Sequence, residues 1–463
     1  MSESAAIIEA MRHAVPPGKA RLSDSDASAL RDLTAALMAA RPDAASEYQR
    51  FLAIAGRSLT LPEEQLGARL RGATVLVTGG TGCIGSMLIA QLARHQPARV
   101  VSVSRGVTGA ARRHDGADYL TADVTDRVAT ERTVGEVRPD VVFHVAAQRS
   151  PGLAEAEVRR TVSTNVLGAR NVLAAASRAG VRQVVLASTG KALRPYSPEV
   201  YTASKRAAEW LGASAAASGD VTCSAARFTH VIDNSIIHGR LLDWAADEAD
   251  GAVMTGAPGR AAIRLHSPDI AFYAQSALES AQLLLIAMLG AAPGEFRVHA
   301  ITDLGWPVSL LDVALGVLAA TRSKTPLYIS GYDPGYEEVA FPGLYDPASA
   351  GDVSPLLNAF EAAALSASPF PMVDAFRLEM AAGPAVPKLL AGIESACDRG
   401  LCDDTIRQAL DDLSWSLLDA TLATAPPAAL ARCGTLIRPH ESAISPAHLR
   451  VLRAINAHGG SQP

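Results

Sequence analysis

The chain has 463 residues, 49% hydrophobic and 19% charged, with a formal net charge of −5, which fits about two to three globular units and offers no general basic surface for nucleic acid. The N-terminus lacks a secretory pattern because acidic residues interrupt it, and the longest apolar run, Leu283 to Leu289, is far short of the roughly 20 residues that cross a bilayer. Five scattered cysteines (Cys83, Cys223, Cys397, Cys402, Cys433) have no zinc-ligand spacing, so the expectation is a cytoplasmic protein with reduced thiols, no metal and no membrane partner.

In chain order, residues 1–71 read as a helical N-terminal extension. Ser23-Asp-Ser-Asp caps a helix running through Met38, and Pro42-Asp opens a second that carries Tyr48, Phe51, Leu52 and Ile54. Residues 72–227 alternate between β-like runs (Thr74–Thr78, Arg99–Ser104, Val141–Val145, Gln183–Ser188, Val221–Ala226) and helical patterns (Ile84–His95, Asp126–Arg138, Ala154–Ala179, Val200–Ser218). That alternation predicts an α/β fold, a Rossmann-type doubly wound parallel sheet covered on both faces. Residues 228–354, with Gly/Pro-rich loops, helices at Ala271–Leu289 and Ser309–Ala320 and a β-like segment at Glu295–Ala300, read as a smaller C-terminal substrate lobe. Residues 355–463 are Ala/Leu-rich and read as a helical C-terminal extension. No internal repeat is evident.

The stretch Thr74 to Gly85, TVLVTGGTGCIG, carries the first chemical signal. Gly79 turns the strand sharply, Gly82 lets backbone N–H groups approach a pyrophosphate, and Gly85 lets the next helix pack close with its positive end toward the phosphates. Thr81, Cys83 and Ile84 complete this dinucleotide-binding turn.

The second signal lies between Val181 and Trp210. Ser188-Thr189 ends a strand, and Tyr201-x-x-x-Lys205 opens a helix. Positions i and i+4 share a helix face, so Lys205 is expected to lie near the Tyr201 phenol, lower its pKa and make it a general acid/base. Ser188 or Thr189 would hydrogen-bond the carbonyl or hydroxyl that reacts, with Lys191 as an auxiliary group.

These motifs, with Ala122-Asp-Val-Thr-Asp126, Arg138-Pro-Asp-Val-Val-Phe-His-Val-Ala-Ala147, Thr164-Asn-Val-Leu-Gly168 and Ser188-Thr-Gly-Lys191, make the chain resemble an extended short-chain dehydrogenase/reductase of the nucleotide-sugar epimerase/dehydratase group. Within that group it resembles the polysaccharide-biosynthesis branch with UDP-N-acetylglucosamine 4,6-dehydratases. The resemblance covers about Arg71 to Arg227 well and Phe228 to Tyr345 weakly. It implies Asp123 and Val124 against adenine, and His144, Ala146 and Ala147 along the nicotinamide side. It also implies that Asn165 holds the helix of the active-site wall and that Lys205 reaches the nicotinamide ribose.

The branch carries Thr-Asp-Lys where this chain has Thr189-Gly190-Lys191, and a methionine where this chain has Tyr201. The missing carboxyl puts dehydration in doubt and leaves oxidation, epimerisation or carbonyl reduction open. At the end of the second strand, Ser104-Arg105-Gly106 with Arg112 and Arg113 nearby offers guanidinium rather than carboxylate, which favours NADP over NAD. Arg264 is the first candidate for a substrate diphosphate, with Arg227, Arg240 and Arg260 as others. The implied activity is NAD(P)-dependent epimerisation or dehydration of a nucleotide sugar by a homodimer paired through the Tyr/Lys helix. A small-molecule ketoreductase and a catalytically lapsed scaffold are the alternatives.

Overall fold

The apolar runs between Thr74 and Phe228 line up as a parallel sheet in a computed structural model that describes residues 2–106, 113–234, 236–246, 262–333, 353–362, 364–366, 368–379, 385–437 and 446–459. Its strands are β1 (Thr74–Thr78), β2 (Arg99–Ser104), β3 (Ala117–Thr121), β4 (Val141–His144), β5 (Gln183–Thr189), β6 (Thr222–Phe228), β7 (Phe296–Ile301), β8 (Leu365–Ser366) and β9 (Val373–Arg377). Their spatial order is β8-β9-β7-β6-β5-β4-β1-β2-β3. All neighbours are parallel from β3 to β7, and β9 and β8 close that edge antiparallel. This is the doubly wound Rossmann-type arrangement expected from the sequence, with its order reversing at β1 and β4.

Strands covered on both faces need apolar residues at every position, and the central strands supply them. Val75, Val77, Val141, Val142, Phe143, Val184 and Val185 are fully buried. β3 lies at the edge and is largely exposed, so it lacks the continuous apolar run by which its neighbours were read. β7 comes from the segment assigned to the substrate lobe and pairs with β6, Val298 opposite Ala225. β9 comes from the region read as helical and pairs with β7, Val298 opposite Phe376.

The chain divides into two units. The sheet unit comprises residues 58–229, 278–304 and 334–463. Within it, helix Asp403–Thr424 packs against helix Val200–Ser218, and helix Val386–Asp398 packs against Asp403–Thr424. Ion pairs fasten these helices to the segment before the Tyr/Lys helix: Arg407 with Glu155, and Arg170 Nη1 with Glu394 Oε2 at 2.9 Å. The helix through which two copies were expected to pair is therefore packed against helices of its own chain.

The other unit comprises residues 1–57, 230–277 and 305–333. Its core joins Leu30, Leu37 and Phe51 from the N-terminal helices with Val308, Leu311, Leu315 and Tyr328. Ser23 and Asp26 form a reciprocal capping box at the start of helix Asp24–Ala40, and Arg41 holds Asp312 through two bonds of 2.6 and 2.7 Å. Three short strand pairs complete it, Ile263–Leu265 with Leu327–Ile329 being the longest. Among the described residues, no helix is long and apolar enough to cross a membrane.

Candidate active site

Three strand ends position the site. β1 runs into the glycine turn, where Gly79 adopts φ +73°, a conformation that side-chain-bearing residues rarely take. An added Cβ at Gly85 would lie 2.3 Å from the Gly79 carbonyl oxygen, so only glycine lets helix Cys83–Ala93 start this close to the turn. Gly82 is the N-cap of that helix and no side chain caps it, leaving backbone donors for an anion. This cradle fits the pyrophosphate of a dinucleotide. Thr81 is buried at the turn, and Cys83 and Ile84 are half-buried. All five cysteines are free thiols.

At the end of β2, Ser104 is half-buried and Arg105 exposed. Arg113 stacks over the Tyr119 ring at 4.9 Å, and Arg112 lies outside the described residues. Asp123 accepts the Thr125 N–H at 3.0 Å, closing its own turn. Val124 is buried, its methyl 2.9 Å from where a Cβ on Gly168 would stand. His144 was assigned to the nicotinamide side, yet it is buried and bonds the Thr78 hydroxyl at 2.8 Å, tying β4 to β1. Burial, with the Lys205 charge adding to it, drives its pKa down to about 3, so the ring is neutral. Ala146 and Ala147 are half-buried on the loop that follows.

Asn165 lies in a π-helical turn, Ser163–Leu167, a local distortion that recurs at functional sites. Its carboxamide accepts the Gln148 N–H at 2.8 Å and donates to the Gln148 carbonyl at 3.1 Å and the Ser204 hydroxyl at 3.0 Å. It therefore binds the loop after β4 to the Tyr/Lys helix.

On helix Val200–Ser218, Tyr201, Lys205 and Glu209 share one face at successive i+4 positions. Adjacent strand residues point to opposite faces, and the two candidate hydroxyls separate accordingly. Ser188 donates to Glu209 Oε1 at 2.6 Å in the interior, whereas the Thr189 side chain turns to the Tyr201 side, where it favours the phenolate. Lys205 Nζ donates to the Ala187 carbonyl at 2.6 Å. Burial drives its ammonium down to about 8 against the opposing pull of Glu209. The Tyr201 phenol is not lowered, contrary to the expectation from the sequence. Burial raises its pKa, and Thr189 and the Arg149 charge only offset part of that rise. Lys191 Nζ is held by Glu199 at 3.3 Å, beside Arg194 and Thr202, which bond the same carboxylate.

Gly190 is buried, and an added Cβ would lie 2.6 Å from Leu356 Cδ2. The space that an aspartate would need at this position holds an apolar side chain from the C-terminal segment. The same segment explains Arg227. That guanidinium is fully buried, bonding Glu209 at 2.8 Å through both Nε and Nη2 and Glu361 at 2.6 and 2.8 Å. Arg206 joins Glu361 at 2.9 Å. Arg227 was a candidate for substrate; with its donors spent on two buried carboxylates and no exposed face, it is a core cation.

Arg264 belongs to the other unit. It donates to the Lys19 and Ala20 carbonyls at 2.6 and 3.1 Å and lies over the Tyr328 ring. Arg240 lies over Trp244, and Arg260 is outside the described residues. His238 bonds the Tyr48 hydroxyl at 2.9 Å, and burial drives His230 down to about 4. Among the described residues, no cluster suited to a metal occurs.

Glu209 could have been found by extending the Tyr201/Lys205 period one more step. Glu361 carries no sequence signal, because it meets Arg227 across 134 positions. Arg149 is the charged residue of the loop after β4 and lies outside both motifs.

Residues 75–239 match a family model described as the NAD dependent epimerase/dehydratase family. The chain is 27% identical over 299 residues to the probable polysaccharide biosynthesis protein EpsC of Bacillus subtilis, covering 61% of this chain and 47% of that protein. It is 30% identical over 146 residues to a UDP-N-acetylglucosamine 4,6-dehydratase (inverting) of Campylobacter jejuni, covering 30% of this chain and 42% of that one. The chain thus spans about half the length, or less, of these curated relatives. Among solved structures, Pen from Bacillus thuringiensis matches in fold, with a TM-score of 0.54 and 20% identity over 66% of this chain and 88% of its own.

Proposed function

From the match of residues 75–239 to the model of the NAD dependent epimerase/dehydratase family, we propose that the chain oxidises a hydroxyl-bearing carbon of a nucleotide sugar, with Tyr201 as acid/base. It then completes an epimerisation or a dehydration. The observation that carries this reading is the placement of Tyr201 at the start of helix Val200–Ser218 on the side of Thr189, at the end of β5, two strands from the glycine turn. The names of the relatives support the substrate class.

A dinucleotide bound at the glycine turn supplies the acceptor, and later the donor, of a hydride. The chain's own residues do the rest. Thr189 orients the substrate oxygen, and the Tyr201 phenolate takes its proton as the hydride leaves the same carbon, so two electrons and one proton are accounted for. The ketone then acidifies the neighbouring C–H, which permits inversion or loss of water, and Tyr201 returns a proton when hydride comes back. With Gly190 and Leu356 where a carboxyl would stand, the β5 end supplies no acid for a leaving hydroxyl, which favours epimerisation. Ser104-Arg105-Gly106 at the end of β2 supports NADP over NAD, and the free thiols fit a cytoplasmic location. The packing of helix Asp403–Thr424 on the Tyr/Lys helix argues for a chain that does not dimerise through that helix.

The test incubates purified protein with NAD or NADP and a panel of UDP-, GDP-, dTDP- and CDP-sugars, followed by mass spectrometry and chromatography. An isobaric product marks an epimerase, and loss of one water marks a dehydratase. Steady consumption of NADPH with a non-sugar carbonyl, and no change in any nucleotide sugar, would replace this reading with a ketoreductase.

A further inference from the structure

We propose that Glu155 is a positioning residue for Tyr201, capping the start of the Tyr/Lys helix, and that Arg407 of the C-terminal region fixes it there. The inference rests on Tyr201 being the acid/base and names what holds its helix turn in place.

The need comes from the helix itself. The first N–H groups of a helix have no partner within it, and Tyr201 is the second residue of Val200–Ser218. Val200 is fully buried, so its N–H needs an acceptor from elsewhere in the chain. The N-cap residue, Glu199, makes no side-chain cap. Its carboxylate is bonded instead by Lys191, Arg194 and the Thr202 hydroxyl. An unsatisfied donor here would loosen the turn that carries the reacting phenol.

Glu155 meets that need from another helix, Pro151–Ala156. Its Oε1 accepts the Val200 N–H at 2.8 Å, across 45 positions of sequence. The carboxylate also places negative charge at the positive end of the helix, where it is stabilising. The Glu155 side chain is only 10% exposed, so little water competes for the bond.

Arg407 holds Glu155 twice. Its Nη1 pairs with Glu155 Oε2, and its Nη2 donates to the Glu155 carbonyl at 3.1 Å. The carboxylate therefore cannot rotate away from Val200 without breaking a charge-assisted pair. Arg407 stands on helix Asp403–Thr424, whose Asp411 accepts the Tyr196 hydroxyl. That one helix grips the connection between β5 and the Tyr/Lys helix at two places, Tyr196 within it and Val200 at its end. The C-terminal region thus reaches the turn of Tyr201 through a single carboxylate.

The first reading needs no substrate: amide hydrogen exchange, resolved to Val200 by fragmentation mass spectrometry. Glu155→Ala is expected to speed exchange at Val200 about tenfold, leaving the second half of the helix at the parent rate. Glu155→Gln keeps an acceptor oxygen and should fall between the two. Arg407→Ala frees the carboxylate and should also speed exchange at Val200. Where turnover is measured, Glu155→Ala lowers kcat about 10- to 100-fold with KM and dinucleotide affinity nearly unchanged, and Glu155→Gln recovers part of it. Glu394→Ala breaks a different tie of the C-terminal helices, to Arg170, and should leave both readings at parent values.

Parent-like exchange at Val200 in Glu155→Ala would overturn the inference, as would faster exchange there with an unchanged kcat. A fall in kcat matched by Glu394→Ala would overturn it too, because general loosening would then explain both. Undiminished turnover in Tyr201→Phe would instead remove the acid/base reading and the positioning role with it. Exchange at Val200, read without substrate, distinguishes that failure from failure of the cap.

Discussion

Neutralising Glu361 by Glu361→Gln tests whether the C-terminal segment is an integral part of the sheet unit. The side chains of Arg227, Glu209, Glu361 and Arg206 are 0%, 1%, 4% and 5% exposed. Glu361 faces two guanidinium groups, bonding Arg227 at 2.6 and 2.8 Å and Arg206 at 2.9 Å. At an effective dielectric of about 20, each such pair gains roughly 4 kcal/mol when the charges are about 4 Å apart. Glutamine forfeits both attractions and turns an N–H toward arginine donors, while one oxygen still accepts. The net expectation is the loss of about 3–5 kcal/mol seen when one partner of a buried ion cluster is removed. Urea unfolding followed by far-UV circular dichroism and tryptophan fluorescence measures it. Glu131→Gln, which breaks an exposed pair with Arg178, serves as the control and should cost under about 1 kcal/mol. A loss in Glu361→Gln no larger than that control would refute the buried-cluster reasoning.

Glu209 supplies a pH test of the same cluster. Burial pushes its carboxyl up, but Arg227, Arg206 and Ser188 outweigh burial and leave it below the usual range. A carboxyl lowered by folding stabilises fully above its unfolded value of about 4.3 and loses that share as pH falls through the folded value. Acid-side stability should therefore fall less steeply in Glu209→Gln than in the parent chain, and equal slopes would contradict the pairing. Gly190→Asp should cost about 1–3 kcal/mol through its clash with Leu356. Leu356→Ala should relieve that clash, so the double variant is more stable than the sum of the single changes implies, and strict additivity would speak against it. Arg105→Glu should weaken NADP binding at least about tenfold, roughly 1.4 kcal/mol, while sparing NAD. An unchanged ratio by calorimetry would remove Arg105 from cofactor selection.

Much of the sheet was readable because its central strands are buried on both faces and so appear as unbroken apolar runs. The glycine turn and the Tyr201/Lys205 spacing were readable because local geometry dictates both. β3 escaped notice as an exposed edge, and β9, Val373–Arg377, as five residues in an Ala/Leu-rich region without alternation. The choice between Ser188 and Thr189 needed the strand's orientation, since consecutive side chains take opposite faces. Arg227 looked like a substrate arginine because nothing near it in sequence announces Glu361. The N-terminal helices looked like an appendage because core partners such as Leu311 and Tyr328 arrive more than 250 positions later.

Turnover in Tyr201→Phe, on whichever nucleotide sugar the unaltered chain transforms, tests the central claim most directly. Removing one hydroxyl leaves ring packing and the glycine turn intact. The expected result is a fall in kcat of about 10²–10⁴-fold with dinucleotide binding preserved. Equal turnover in the two proteins would contradict the assignment of Tyr201 as the acid/base.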